Sequence, residues 1–151
     1  MHRAGYIYVD LKGNNITLLI KPIKYKKSIY HIILIDYGFC ERFNKIKEKS
    51  PIAHGNACYA SINSLSNNPI SRKDDIIALG YFLISLCLGG LPWDNLNKEG
   101  NQKNNEIIAL KNMYSPNKLL EKKAKEISFI FNDAIAWVLL MSQTMTIIFI
   151  F

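Results

Sequence analysis

The chain has 151 residues, of which 49% are hydrophobic, and it carries a formal net charge of +7 at pH 7. This length supports one domain with a packed core, and the hydrophobic fraction is typical of a globular protein. The excess of positive charge is best explained by a solvated, lysine-rich surface, with a surface for acidic partners as the alternative. Because aromatic residues do not interleave with the lysine clusters, the composition argues against direct nucleic-acid binding.

The three cysteines, Cys40, Cys58 and Cys87, are widely spaced and form no metal-binding pattern. The residues from Met1 to Tyr6 contain no apolar stretch of the kind found in a secretory signal. We therefore expect an intracellular protein, in the cytoplasm or the nucleus.

Two apolar runs, at residues 16–20 and 29–35, predict two short antiparallel strands. The polar segment between them is basic and contains a proline, so we expect it to form the loop of a β-hairpin. Asn15 then lies just before the first strand, and Asp36 lies just after the second.

The remainder of the chain is predicted to be mainly helical. Residues 39–73 lack periodicity and predict a long loop. Residues 71–88 predict a buried helix that Ser71 or Asp74 caps and that Gly89-Gly90 ends. Further helices are expected at 105–113 and 118–131, which gives a mainly α fold with a short β-hairpin.

The last eighteen residues, 134–151, contain no charged side chain. A frameshift in the gene is the favoured interpretation of this tail. A C-terminal membrane anchor is the second, since eighteen residues reach the lower limit for a spanning helix. A buried core helix is the third.

Two polar clusters flank the predicted strands, and together they read D-x-K-x-x-N followed by D-[aromatic]-G. Each cluster alone is common as an ordinary turn, but their order and spacing are those of the catalytic loop and the magnesium-binding aspartate of protein kinases. The clusters are Asp10-Leu11-Lys12-Gly13-Asn14-Asn15 and Asp36-Tyr37-Gly38.

These residue types suit phosphoryl transfer from ATP to a hydroxyl. Asp10 can accept the proton of the hydroxyl, and Lys12 can neutralise charge on the transferring phosphate. Asn15 and Asp36 offer the hard oxygen ligands that Mg²⁺ prefers. Asp10 and Lys12 are therefore the candidate catalytic residues. Lys12, Asn15 and Asp36 are the candidate ATP-binding residues, with the metal on Asn15 and Asp36.

Three further segments carry a resemblance to a family. Residues 55–63 (GNACYASIN) resemble the G-T-A-R-Y-A-S-I-N segment of the casein kinase I group, and residues 71–81 and 88–93 resemble its S-R-R-D-D-L-x-S-L-G-Y and L-x-G-x-L-P-W motifs. The DYG sequence and the lack of an arginine before Asp10 are similar to the vaccinia-related kinases. The resemblance implies a Ser/Thr protein kinase that uses ATP and Mg²⁺ on protein substrates.

The resemblance also implies the domain organisation. Residues 1–131 would form a partial kinase domain with the catalytic loop, DYG, the activation segment and the helices of the C-terminal lobe, and residues 132–151 would form the tail. No G-x-G-x-x-G precedes Asp10, and no ATP-binding lysine can be assigned. We therefore expect a truncated C-terminal lobe without its N-terminal lobe, inactive on its own. The alternative is a pseudokinase or scaffold, with membrane contact only through 134–151 and an oligomeric state left open.

Several positions depart from the family pattern. Tyr8-Val9-Asp10 stands where most kinases have H-R-D. Asn56 replaces a threonine that hydrogen-bonds near the catalytic Asp and Lys in the family, and Cys58 replaces an arginine that binds acidic substrates. Asp75 matches a buried aspartate that braces the catalytic loop.

Overall fold

The structure is a computed structural model that describes residues 1–21, 29–42 and 55–121. Within these residues the chain forms four α-helices, four short strands and two 3₁₀ turns. The strands are β1 (Tyr6–Ile7), β2 (Ile16–Lys21), β3 (Ile29–Leu34) and β4 (Glu41–Arg42). The helices are α1 (Ile62–Leu65), α2 (Arg72–Leu88), α3 (Gly100–Met113) and α4 (Pro116–Glu121), and the 3₁₀ turns are His2–Ala4 and Gly13–Asn15.

Strands β2 and β3 form the predicted antiparallel hairpin. Their register runs from Ile16 opposite Leu34 to Lys21 opposite Ile29. Next to the Ile16–Leu34 pair, outside the ladder, the amide of Ile35 donates to the carbonyl of Asn15 at 2.9 Å. The hairpin thus brings the residues before β2 and after β3 to the same end of the sheet. The connecting loop, 22–28, lies outside the described residues.

The prediction of a continuous loop over residues 39–73 is wrong near both ends, where the chain forms regular elements. Strand β4 pairs with β1 in a second antiparallel sheet, and the short helix α1 forms near the loop's far end. Strands of two residues and a helix of four are too short for hydrophobic periodicity to reveal. The middle of this region, 43–54, lies outside the described residues.

Helix α2 begins and ends where the sequence predicts. The Ser71 side chain accepts from the amide of Lys73 at its start, and the Asp74 carboxylate accepts from the amide of Ser71 at 2.7 Å in a capping box. Gly89 ends the helix in the left-handed conformation, with φ at 76°. Asp74 also accepts from the Ser61 hydroxyl at 2.5 Å, which joins the helix start to the segment before α1.

The main core lies between α2, α3, α4 and the turn that follows α2. Trp93 is fully buried there, packs edge-on against Tyr81 at 5.4 Å between ring centroids, and donates from its indole nitrogen to the carbonyl of Cys58. The cluster comprises Ala60, Leu65, Tyr81, Ile84, Leu91, Trp93, Ile107, Leu119 and Leu120. Ala60 of the 55–61 segment belongs to this core, and Gly55 at the start of the segment lies beside Val9 and Asp10.

The last helices differ from prediction in extent. Helix α3 begins at Gly100, five residues before the predicted start, because its first turn is polar and carries no apolar signal. Helix α4 is described as far as Glu121, so the predicted continuation to 131 and all three interpretations of the 134–151 tail fall outside the described residues. Within those residues, no helix combines the length and hydrophobicity that crossing a membrane requires.

One cation lies inside this core. Lys111 of α3 is only 3% exposed, and its ammonium lies over the rings of Tyr81 and Trp93 at 4.5 and 5.2 Å from their centroids. Burial lowers the pKa of Lys111 from 10.5 to about 7, an effect that the nearby Cys58 thiol partly opposes. Since burial disfavours the charged form, the lysine's proton is held less tightly in the folded protein than in the unfolded chain.

This shift predicts a pH-dependent stability. Between pH 7 and 10.5 the unfolded chain binds a proton that the folded protein has released, so Lys111 makes stability rise with pH, by at most about 1.4 kcal/mol per pH unit. Below pH 7 both states are protonated and the cost of burial is constant. Urea unfolding of the wild type and Lys111→Met from pH 6 to 10 measures the effect. The stability difference between them should change across this window, and a constant difference would contradict the shift.

Candidate active site

The loop after β1 turns sharply at Val9. The amide of Asp10 donates to the carbonyl of Tyr8 at 3.0 Å, and Val9 between them has φ at 74°. A hydrogen bond across a single residue at this φ defines a γ-turn, a strained conformation for a β-branched side chain. Other contacts must therefore hold this turn in place.

Asp75 supplies those contacts from the first turn of α2. Its carboxylate accepts from the amides of Tyr8 and Val9 at 2.8 and 2.9 Å, and the Nε2 of His2 lies 2.7 Å from the same group. Asp75 is 6% exposed, so these bonds are shielded from water. Asp75 thus holds the backbone immediately before Asp10, at the position for which the family resemblance implies a bracing aspartate.

Beyond this turn, Asp10, Lys12 and Asn15 are joined directly. The Oδ2 of Asp10 accepts from the Lys12 ammonium at 2.6 Å and from the Asn15 amide at 3.1 Å, and that amide also donates to the Asp10 carbonyl at 3.0 Å. Asp10 and Asn15 are nearly fully buried. The 3₁₀ turn Gly13–Asn15 folds the chain back so that an asparagine five residues along can reach the aspartate.

The second oxygen of Asp10 is different. Its Oδ1 is buried and has no hydrogen-bond partner among the described residues. A buried carboxylate oxygen without a donor is costly, since desolvation is not compensated. This oxygen is therefore the one acceptor of the Asp10 carboxylate that remains unpaired within the described residues.

Gly55 forms the wall beside that oxygen. Its φ is 85°, and a Cβ placed there would lie 2.6 Å from the carbonyl oxygen of Val9 and 3.3 Å from the Oδ1 of Asp10. Only glycine allows the backbone to approach the catalytic loop this closely. The 55–61 segment thus meets Asp10 through its first residue.

Asp36 does not join this cluster directly. It is exposed, has φ at 59°, and accepts from the amide of Gly38 at 3.2 Å, while no hydrogen bond or ion pair links it to Asp10, Lys12 or Asn15. The hairpin places it at the same end as Asn15. Asp36 therefore faces solvent beside a buried, preassembled Asp10 cluster.

Tyr8 connects the two parts. Its hydroxyl donates to the carbonyl of Ile35, and its ring packs edge-on against Tyr37 at 5.9 Å between centroids. Burial raises the pKa of Tyr8 to about 12, an effect opposed by its hydrogen bond with Asn15 and reinforced by nearby carboxylates and Cys40. The phenol thus stays protonated at neutral pH and fixes the backbone just before Asp36.

Asn56 uses its side chain in a contact with the chain next to it. Its Oδ1 accepts from the amide of Cys58 at 2.9 Å, in a local side-chain-to-backbone turn. It forms no hydrogen bond with Asp10 or Lys12. The Asn56 side chain therefore does not supply a donor to the Oδ1 of Asp10.

The donor set suits Mg²⁺. The described residues contain no group of three or more His, Cys, Asp or Glu side chains able to hold a metal. Mg²⁺ instead usually takes one or two protein oxygens and completes its shell with phosphates and water. The side-chain amide nitrogen of Asn15 donates to Asp10, so the side-chain oxygen Oδ1 of Asn15 is the atom suited to bind the metal. Asp36 is exposed and offers a carboxylate.

Sequence patterns did not reveal the roles of three residues that contact the site or the segment beside it: Tyr8, Gly55 and Lys111. Tyr8 stood out only as a departure from H-R-D, and the close approach of Gly55 depends on folding across 45 residues. Lys111 has a visible signal, because it lies four residues after buried Ile107 on the same face of α3.

The family model described as the protein kinase domain matches residues 1–145 of this chain. The match supports a kinase-type function, that of a transferase, and with it the general use of ATP, Mg²⁺ and protein substrates.

Replacement of Gly55 tests the close approach to Asp10. Gly55→Ala should cost about 2 kcal/mol more than Gly89→Ala, because both glycines have positive φ but only the first would bring a Cβ into overlap. Gly89→Ala alone should cost about 1 kcal/mol. Urea unfolding gives both values, and equal losses would show that the segment does not press on the catalytic loop.

Proposed function

Because the chain belongs to the protein kinase domain family, we propose that it is a Ser/Thr kinase module of the casein kinase I and vaccinia-related group. Residues 1–131 would be its C-terminal lobe, and its chemistry is transfer of the γ-phosphoryl group of ATP to a protein hydroxyl. The observation that carries this proposal is the Asp10 carboxylate, with one oxygen held by Lys12 and Asn15 and the other buried without a partner.

Asp10 acts as the base. The acceptor hydroxyl would donate to its carboxylate, and this hydrogen bond would orient the hydroxyl oxygen for attack on the γ-phosphorus. As the new P–O bond forms, the bond to the ADP oxygen breaks and the hydroxyl proton passes to Asp10. The bonds from Lys12 and Asn15 to Oδ2 keep the carboxylate from rotating away.

Lys12 is suited to the transferring phosphate. Its ammonium is bonded to Asp10 but its side chain is 30% exposed, so it can reach an incoming phosphate oxygen from its present position. Asn15 and Asp36 would hold Mg²⁺, which neutralises phosphate charge when bound. The burial of Asn15 fixes one ligand before ATP arrives, and the exposure of Asp36 leaves the other open to solvent.

The proposed substrates, serine and threonine side chains of proteins, rest on the sequence of the 55–61 segment. Its similarity to the casein kinase I group supports serine and threonine acceptors, whereas Cys58 lacks the charge of the family's arginine and does not favour acidic sequences. The proposal of an intracellular location rests on the wide spacing and odd number of the three cysteines.

The 151-residue polypeptide is expected to transfer phosphate very slowly by itself. It contains no G-x-G-x-x-G and no assignable ATP lysine, and positioning supplies most of kinase catalysis. Incubation with radiolabelled ATP, Mg²⁺ and casein or histone measures the rate. Robust phosphorylation that Asp36→Ala abolishes would show that these 151 residues suffice.

Metal binding tests the site without requiring catalysis. Mn²⁺, a paramagnetic substitute for Mg²⁺, should broaden the amide NMR signals of Asn15, Asp36 and Gly38 before those of the other described residues. Asp36→Asn should weaken this broadening by about tenfold in Mn²⁺ concentration, since it removes the anionic ligand.

Glu121→Gln is the matched control, because it removes one exposed carboxylate outside the site. It should leave the broadening of Asn15 unchanged. Broadening centred on other carboxylates, or equal in Asp36→Asn and the wild type, would rule out Asn15 and Asp36 as the metal site.

A pseudokinase or scaffold is the second candidate. It is favoured by the exposed apolar side chains of the hairpin, Leu18 and Ile32, at 59% and 55%. Exposed apolar surface of this kind suits partner binding. A folded chain that binds neither Mn²⁺ nor Mn²⁺·ATP would support this function over catalysis.

A further inference from the structure

Lys111 reaches across the core to the 55–61 segment. Its ammonium donates to the carbonyl of Ala60 and, at 3.3 Å, to that of Ala57. These carbonyls lie 51 and 54 residues before the lysine, so the contact joins α3 to a segment distant in sequence. No element proposed for catalysis includes Lys111.

The same segment is fastened at three other points. Trp93 donates to the carbonyl of Cys58 at 2.8 Å, Ser61 donates to Asp74 at 2.5 Å, and Gly55 abuts Val9 and Asp10. Lys111 bonds at two carbonyls between these ends. It is thus the one described side chain that fastens the middle of the segment at two places.

The surroundings of Lys111 leave it little choice of partner. Two aromatic rings, the two carbonyls and the thiol of Cys58 face its ammonium, and no carboxylate of the described residues lies within ion-pair distance. A buried cation is expensive unless its hydrogen bonds are made. The segment's carbonyls therefore stabilise Lys111 as much as Lys111 stabilises the segment.

The segment borders an open groove. Residues Gly55 to Ala60 form one side and the first turn of α3 forms the other, enclosing about 490 Å³ of space. The groove begins beside Asp10, at Gly55. An acceptor chain bound here would reach Asp10 only if the segment kept its position.

We infer that Lys111 is a positioning residue of the active site, which holds the 55–61 segment against Asp10 and so fixes the groove that presents the acceptor hydroxyl. The part that concerns the acceptor rests on the proposed kinase function. The fastening of the segment does not, and it can be measured in the absence of ATP.

Hydrogen exchange by mass spectrometry on the 151-residue chain tests the fastening. The amides of Cys58, Tyr59 and Ala60 are bonded within the segment and report on its order. Lys111→Met, which keeps volume but removes the donors, should speed their exchange by about tenfold or more. Exchange in the second half of α2 should change by less than about twofold.

Two variants separate donation from packing. Lys111→Arg keeps the donors and should restore most of the protection, whereas a purely space-filling role would make methionine the better replacement. Lys118→Met is the matched control, since Lys118 is exposed on α4, and it should leave the segment unchanged. Unaltered exchange in Lys111→Met, or an equal rise throughout the chain, would overturn the inference.

NMR links the segment to the catalytic loop. Lys111→Met should shift the amide signals of Gly55, Val9 and Asp10, while the Mn²⁺ concentration that broadens Asn15 stays within about twofold of the wild type. Unchanged signals at Val9 and Asp10 would also overturn the inference. If Mn²⁺ binds neither protein, the kinase proposal fails while the exchange and chemical-shift results still decide the role of Lys111.

Discussion

The buried carboxylate of Asp75 is the interaction on which the candidate site depends. It accepts from two consecutive amides, those of Tyr8 and Val9, and thereby holds a γ-turn that a valine would not adopt unaided. The turn determines where Asp10 lies. Asp75 belongs to the first turn of α2, the longest described helix, and the Ser71 capping box fixes where that helix starts. The position of α2 therefore determines the geometry of the loop that contains Asp10. A local turn of high energy is therefore stabilised by tertiary structure.

The opposite wall of the site is built on a different principle. Gly55 approaches Asp10 through backbone alone, and the segment behind it is held by donors from the core, Trp93 and Lys111. On the Asp75 side, an anion accepts from backbone amides; on this side, a cation and an indole donate to backbone carbonyls. On both walls, a buried polar side chain bonds to main-chain groups. The position of each wall therefore does not depend on the identity of the side chains that would face the acceptor hydroxyl.

Patterns within a few residues predicted much of this arrangement. The alternation of apolar runs gave the hairpin, and Ser71 with Gly89 gave the bounds of α2, because caps and strands are decided by neighbours in sequence. The spacing of Asp10, Lys12 and Asn15 predicted a cluster that the structure brings together. The β1–β4 pair, the clearance at Gly55 and the role of Lys111 were not predictable in this way. Each is a contact between residues 34 or more positions apart, so no local pattern identifies the partner.

Asn15 and Asp36, the two residues proposed to hold Mg²⁺, differ in a way that bears on how the proposed catalysis would be controlled. Asn15 is buried and hydrogen-bonded to Asp10, so its position is set by folding, whereas Asp36 is exposed and reaches the cluster only through Tyr8 and the backbone of Ile35. Positioning Asp36 against a metal would restrict an exposed side chain, and that ordering has an entropic cost. The protonated Tyr8 hydroxyl donates to the carbonyl of Ile35, the residue just before Asp36. This hydrogen bond therefore limits how far Asp36 can move. A tyrosine in place of the usual histidine therefore gives the loop a phenol that stays a donor well above neutral pH, whereas an imidazole would change its charge near neutral pH.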